Sequence, residues 1–268
     1  MIDRERYGPW AVVTGGSEGI GAAMAVQLGA SGIGVVLIAR KPGPLAEAAD
    51  QVRETGADVR TLSLDLTAPD MLARVREVTD DLDVGLLAYT AGSTRCSGPF
   101  LEWSLEDVRQ IIELNVDGPT ILVHHFGRAM ADRGRGGIAI MGSFAGIAGS
   151  PTVVPYSGAK AYSQLFCEGL WWELKDQGVD VLHVVVGATN TPAMVRQGIV
   201  YPEEMGVGGD VVARYTLENL TNGPVFVMPQ LVDAVRERTT TDRRRATEIN
   251  AARIMATTSR QTTYRGER

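Results

Sequence analysis

Tyr156 and Lys160 stand four residues apart in Pro155-Tyr156-Ser157-Gly158-Ala159-Lys160, a spacing that puts both side chains on one face of a helix. A free phenol titrates near ~10, too high for easy proton exchange at neutral pH. A neighbouring ammonium stabilises the phenolate and lowers that value. A Tyr–Lys pair can therefore donate a proton when a carbonyl is reduced and accept one when an alcohol is oxidised. Ser143 stands thirteen residues before the tyrosine, at the end of an apolar run. Its hydroxyl is suited either to bond a substrate carbonyl or to cap a helix. Asn115, in Leu114-Asn115-Val116-Asp117-Gly118, offers an amide that can hold a water between Lys160 and solvent, or make an ordinary buried polar bond.

A second constellation lies near the N-terminus. Thr14-Gly15-Gly16-Ser17-Glu18-Gly19-Ile20-Gly21 follows the first apolar run and precedes a helix-like segment. Glycine permits positive φ and close approach of backbone to a diphosphate, and a helix N-terminus presents free N–H groups to it. Gly15, Ser17, Glu18, Gly19, Ile20 and Gly21 are the candidate cradle. The Gly-x₃-Gly-x-Gly spacing differs from Gly-x-Gly-x-x-Gly. The second apolar run ends Ile38-Ala39-Arg40-Lys41. An acid there would bond a ribose 2′-hydroxyl. Two cations suit a 2′-phosphate instead, because a guanidinium fork donates bidentately. The expected coenzyme is NADP(H); the plain alternative is a pair of solvated cations. Asp65-Leu66 and Ala91-Gly92 end the next two runs. Asp65 is placed to accept from an adenine amino group or to cap a helix. A small residue and a glycine at Ala91 and Gly92 let a coenzyme pass closely.

These residues need a scaffold that brings distant segments together. Short apolar runs over 11–14, 34–39, 59–64, 84–89, 137–141, 179–186 and 225–228 alternate with amphipathic stretches. The stretches cover 19–31, 44–55, 69–80, 105–133, 155–177, 209–222 and 231–258. This alternation predicts an α/β fold: one doubly wound Rossmann domain over 1–230, with a seven-stranded parallel sheet and helices on both faces. Residues 231–268 are expected to form a helical tail packed on the same domain or on a partner subunit. Residues 188–208, with two prolines and three glycines, form a candidate lid. Its apolar members are Pro192, Ala193, Met194, Val195, Ile199, Val200, Tyr201, Pro202 and Met205, interrupted by Arg196, Glu203 and Glu204.

The sequence resembles the short-chain dehydrogenase/reductase family over residues 8–230. The matching motifs are the glycine turn, Asp65-Leu66, Ala91-Gly92, Asn115-x-x-Gly118, Ser143 and Tyr156-x-x-x-Lys160. The resemblance implies a nicotinamide coenzyme and the tetrad Asn115, Ser143, Tyr156 and Lys160. It makes Tyr156 the acid/base, has Lys160 also bind the nicotinamide ribose, lets Ser143 orient substrate and gives Asn115 the proton relay. It places Thr189 and Thr191 on the coenzyme, with Thr191 at the nicotinamide amide. Two positions depart from the family pattern. Tyr89-Thr90-Ala91-Gly92 replaces Asn-Asn-Ala-Gly, and Gly187 is not preceded by proline. These departures, with Tyr7-Gly8-Pro9-Trp10, are similar to bacterial 7β-hydroxysteroid dehydrogenases.

Composition bounds the alternatives. A net charge of −6 over 268 residues gives no general electrostatic reason to bind nucleic acid. Cys96 and Cys167 are far apart, which favours a reducing, cytoplasmic setting over a disulfide framework. No signal peptide or membrane span is expected. His124, His125 and His183 lack partners at metal spacing, so no metal is expected. Nine arginines and five acids make residues 233–268 basic, and Arg243–Arg245 reads as a phosphate patch or, more simply, a solvated face. Leu165, Phe166, Leu170, Trp171, Trp172 and Leu174 make a wider apolar face than one sheet contact needs. Family dimers use this helix, so a homodimer or homotetramer is implied. The expected function is reversible oxidation of a secondary alcohol to a ketone on a small-molecule substrate. A bulky hydroxysteroid comes first, with a 3-oxoacyl or small-ketone reductase as the alternative. A non-catalytic NADP-binding regulator is the alternative of another class.

Overall fold

The computed structural model describes residues 2–94, 97–196, 201 and 206–266, with the chain path alone over 255–266. Seven parallel strands form the sheet: β1 (Trp10–Thr14), β2 (Gly34–Ala39), β3 (Val59–Ser63), β4 (Val84–Tyr89), β5 (Gly136–Met141), β6 (Val179–Val185) and β9 (Val225–Val227). Their order is β3-β2-β1-β4-β5-β6-β9, and the order reverses between β1 and β4. A doubly wound sheet binds ligands in the crevice at that reversal, beyond the carboxyl ends of its strands. All seven predicted strands are present, with ends that move by at most a residue.

The strands are apolar on both sides because both faces are covered. Val35 and Leu37 pack into one core with Met24, Leu28, Leu45, Val52 and Val212. Val36 and Ile38 point the other way, into a core with Val75, Leu122, Phe126, Met130 and Cys167. The first core is covered by α2 (Gly19–Ala30), α3 (Pro42–Arg53) and α9 (Gly209–Glu218); the second by α4 (Met71–Thr79), α6 (Gly118–Arg133) and α7 (Val154–Leu174). Each buried Leu, Ile or Phe contributes roughly 1.5–3 kcal/mol. Cys167 is fully buried and lies in the core, as expected; Cys96 lies outside the described residues.

Two predicted helices are broken. The stretch 105–133 is α5 (Leu105–Ile112), a π turn over Glu113–Asp117 and then α6. The buried Tyr89 hydroxyl donates to the Leu114 carbonyl at 2.7 Å and holds the widened turn. π turns recur at functional sites, and this one carries Asn115. The tail is α10 (Val232–Thr240) and α11 (Arg243–Gly266). Thr241 is extended (φ −97°, ψ 152°), and Asp242 accepts from the Arg245 N–H at 3.1 Å, so the chain restarts rather than continues. Beyond β6, β7 (Thr189–Asn190) and β8 (Val207–Gly208) pair in parallel at the base of the candidate lid. They flank α8 (Pro192–Arg196).

Candidate active site

The glycine turn lies beyond β1, where the sheet order reverses. Gly15 and Gly19 hold φ of +68° and +58°, a region other residues avoid. A Cβ on Gly21 would run into the Gly15 carbonyl and the Thr90 hydroxyl. That hydroxyl donates to the Thr14 carbonyl and ties the end of β4 to the end of β1. Thr90, one of the departures from the family pattern, is therefore a strut of the cradle.

A cleft of 380 Å³ opens over this turn. Gly15, Ser17, Glu18, Gly19, Ile20, Gly21, Arg40, Lys41, Asp65, Leu66, Ala91, Gly92 and Thr191 all line it. Arg40 approaches Asp65 at 3.7 Å, and both are about half exposed. Asp65 also accepts from the Thr67 N–H and hydroxyl, so it caps its turn. Thr189 does not line the cleft: it is buried in β7, and its hydroxyl donates to the Gly187 carbonyl. Sequence reasoning read Arg196 only as a break in the lid's apolar surface. Arg196 lines the cleft from α8 and grips Glu18 with a bidentate pair at 2.5 and 2.7 Å.

The catalytic candidates converge at the carboxyl end of β5. Ser143 follows the strand and caps a short 3₁₀ turn, accepting from the Ala145 N–H at 3.2 Å. Its side chain also acts on the Tyr156 phenol and favours the phenolate, so capping does not exclude the functional reading. Lys160 is buried one helical turn beyond Tyr156; its Nζ donates to the Met141 carbonyl at 2.8 Å. The same Nζ lies 5.5 Å from the centre of the Tyr156 ring. Asn115 is buried, and its Nδ2 donates to Ile111 at 2.9 Å and Ser93 at 3.3 Å. Its Oδ1 is buried without a hydrogen-bond partner. A Cβ on Gly92 would sit 2.9 Å from that oxygen and 3.1 Å from Lys160 Nζ. Only a glycine lets Asn115 and Lys160 face each other there.

Burial raises the Tyr156 phenol above its ordinary value, while the Ser143 hydrogen bond pulls it down and Tyr201 pushes it up. Burial takes the Lys160 ammonium down to about 8. The expectation that Lys160 lowers the phenol is not met. Desolvation is the largest influence on the phenol, and the Lys160 charge is not among those that act on it. Tyr201, a member of the candidate lid, is fixed by Asn190, which clamps its backbone by donating to the carbonyl at 2.9 Å and accepting from the N–H at 3.0 Å.

Of the candidate lid, Pro192, Ala193, Met194 and Val195 form α8, with Val195 half exposed. Ile199, Val200, Pro202, Glu203, Glu204 and Met205 lie outside the described residues. His183 is buried beside Ser163, and burial with the Lys160 charge lowers it to about 3, so it stays neutral. Among the described residues, no cluster of His, Cys, Asp and Glu could hold a metal, and no helix is long and apolar enough to cross a membrane.

Residues 9–198 match the family described as short chain dehydrogenase. The chain is 32% identical over 215 residues to a 7β-hydroxysteroid dehydrogenase of Clostridium sardiniense, covering 76% of this chain and 82% of the relative. It is 36% identical over 194 residues to a very-long-chain 3-oxoacyl-CoA reductase of Neurospora crassa, covering 70% of this chain and 58% of that one. A structure solved in a study of 7β-hydroxysteroid dehydrogenase stereoselectivity superposes with a TM-score of 0.86 at 25% identity, covering 93% of this chain and 99% of the other. A short-chain dehydrogenase from Sphingobium yanoikuyae in complex with NADPH superposes with a TM-score of 0.76 at 30% identity, over 87% and 96% of the two chains.

Proposed function

The chain belongs to the short-chain dehydrogenase family of NAD(P)-dependent oxidoreductases, and we propose that it uses NADP(H) to interconvert a secondary alcohol and a ketone on a bulky apolar substrate, a hydroxysteroid first. The observation that carries this reading is the meeting of Ser143, Tyr156, Lys160 and Asn115 beside a cleft floored by the glycine turn.

The glycine cradle fits a dinucleotide: Gly15 and Gly19 hold positive φ, and a Cβ at Gly21 would collide with the Gly15 carbonyl and distort the turn. Gly15 to Gly21 would hold the diphosphate, Arg40 and Lys41 a 2′-phosphate, and Thr191 and Lys160 the nicotinamide end. When bound, the nicotinamide supplies or accepts a hydride. The chain's own residues handle the oxygen and its proton. Ser143 and Tyr156 hydroxyls bond the substrate oxygen together. In reduction the Tyr156 hydroxyl gives its proton to the oxygen as the carbonyl becomes an alcohol. In oxidation the phenolate takes it back. Lys160 then passes a proton towards Asn115, whose unpartnered Oδ1 can hold the connecting water.

NADP(H) is favoured because the end of β2 presents Arg40 and Lys41 to the cleft and no carboxylate. A bulky substrate is favoured by the apolar α8, by Tyr201 beside Tyr156, and by the likeness to 7β-hydroxysteroid dehydrogenases. A homo-oligomer is favoured by Leu105, Ile112, Ile121, Tyr162, Leu165 and Trp172, all exposed on α5, α6 and α7. Lone apolar residues are ordinary, but six large ones on three helices favour an interface. Steady-state assays with keto-steroids, a long-chain 3-oxoacyl thioester and ethyl acetoacetate test the substrate reading. A keto-steroid should give the highest kcat/KM, with NADPH preferred over NADH. No advantage over ethyl acetoacetate overturns the steroid assignment. No turnover of any ketone leaves a coenzyme-binding regulator.

A further inference from the structure

We infer that the C-terminal helix pair belongs to the catalytic machinery: Arg238 and Asn250 are positioning residues that hold segment 143–150, and through it the Ser143 hydroxyl, in place against Tyr156. This rests on the assignment of Ser143 and Tyr156 to the chemistry.

Segment 143–150 leaves the sheet almost at once. Phe144 N–H donates to the Val186 carbonyl at 2.8 Å, the last link to the continuation of β6. From there the backbone carbonyls turn towards side chains. Ser157 donates to Ala145 at 2.7 Å, and Ser150 donates to the same carbonyl at 3.0 Å. The other donors come from α11, about a hundred residues away. Arg243 Nη1 donates to the Ile147 carbonyl at 3.1 Å. Asn250 Nδ2 donates to Ser150 Oγ at 2.7 Å and reaches the Ala148 and Gly149 carbonyls, each at 3.3 Å. An amide nitrogen carries two protons, so Ser150 takes one and the two carbonyls share the other.

Arg238 fixes which way that amide points. Its Nε donates to Asn250 Oδ1 at 3.4 Å, which leaves Nδ2 turned to the segment. Its guanidinium lies 4.4 Å from the centre of the Phe144 ring, the residue directly after Ser143. Its Nη1 donates to the Ala234 carbonyl at 2.9 Å, and Glu237 is 3.5 Å away. The Arg238 side chain is 0% exposed, and its Nη2 has no hydrogen-bond partner. A buried cation so thinly paired costs stability. The fold carries that cost where the guanidinium touches both the ring after Ser143 and the amide that holds the segment.

The polar groups around the Tyr156 side chain are Ser143 from this segment, Lys160 on the same helix and Tyr201 from beyond β7. Of these the Ser143 bond favours the phenolate, so loosening the segment moves the tyrosine upward. The variants Asn250→Asp and Arg238→Met separate positioning from packing. Asn250→Asp keeps the volume and gives Arg238 a carboxylate, yet removes the donors to the segment. In full-length protein both should speed amide hydrogen exchange over 143–150 while leaving the β1–α2 turn unchanged. Both should lower kcat about ten- to a hundred-fold, keep NADPH affinity within about twofold, and move the midpoint of the oxidation pH profile upward. Unchanged exchange overturns the holding role whether or not the chain is a dehydrogenase. Faster exchange with wild-type kcat and pH profile overturns the link to chemistry. Loss of NADPH affinity in step with kcat also overturns it, since the damage is then general. Wild-type turnover in Ser143→Ala would instead sink the assignment of the serine.

Discussion

The two sides of this active site are built in opposite ways. The coenzyme side is mostly local: a turn of seven residues, Gly15 to Gly21, forms its floor, the ends of β2, β3 and β4 supply most of the rest, and Thr191 and Arg196 close it from one side. Backbone and missing Cβ atoms do the shaping. The side that carries Ser143 is assembled from afar, with carbonyls of segment 143–150 held by Arg243 and Asn250. A local turn is fixed by its own glycines and tolerates change elsewhere in the chain. A segment held by distant side chains is fixed only once the tail has docked. Damage to one side should therefore leave the other intact.

The sharpest separation is Ser143→Ala. It removes a donor to the substrate oxygen and leaves the glycine turn untouched. Removal of one such donor costs roughly 10²–10³ in kcat, and NADPH affinity by fluorescence titration should stay unchanged. A parallel fall in affinity would break the division between the two sides.

Arg40→Asp is the converse. A charge-assisted hydrogen bond contributes ~1.5–3 kcal/mol, or about ten- to a hundred-fold. The ratio of kcat/KM for NADPH over NADH should fall by that factor, with kcat at saturating coenzyme little changed. An unaltered ratio would remove Arg40 from 2′-phosphate recognition.

Lys160→Met is read through stability, where its effect is small and carries a pH signature. Lys160 titrates at about 8 in the fold and near ~10.4 when unfolded. The unfolded chain therefore holds this proton more tightly, and burial of the ammonium opposes folding at every pH below 8. That penalty fades as pH rises from 8 to about 10.5. The variant should be inactive yet more stable than wild type at pH 7, by on the order of 2 kcal/mol after the lost bond to Met141 is counted. The gap in Tm should close towards pH 10.5. A gap that is flat with pH would mean that Lys160 is not buried in charged form.

What the sequence made legible follows the same division. Seven strands, the glycine turn and the cleft residues could be read because each depends on neighbours in sequence: β propensity, apolar runs and glycines at fixed offsets. The π turn could not, since a 3.6-residue pattern runs through 105–133 without a break. Its cause is one hydroxyl, that of Tyr89, reaching Leu114. The pair Glu18–Arg196 and the clamp of Asn190 on Tyr201 join segments that no local rule connects. The tail reads as one long helix because Thr241 and Asp242 are a weak signal, and no local rule picks out which of its polar residues turn inward. Arg238 and Asn250 are the ones buried against the catalytic segment. The expected lowering of Tyr156 by Lys160 failed because burial acts on both groups and sequence spacing carries no measure of it.

Tyr156→Phe tests the central claim most directly, because it keeps the ring and removes the one proton that the proposed chemistry moves. The wild type should reduce a bulky ketone at neutral pH, where the raised phenol is protonated, and oxidise the alcohol increasingly well as pH rises. The variant should bind NADPH within about twofold of wild type and lose turnover in both directions by roughly a thousandfold, within the range for an acid–base group. A variant that retained near-normal kcat and the wild-type pH profile would contradict the account, because another group would then be moving the proton.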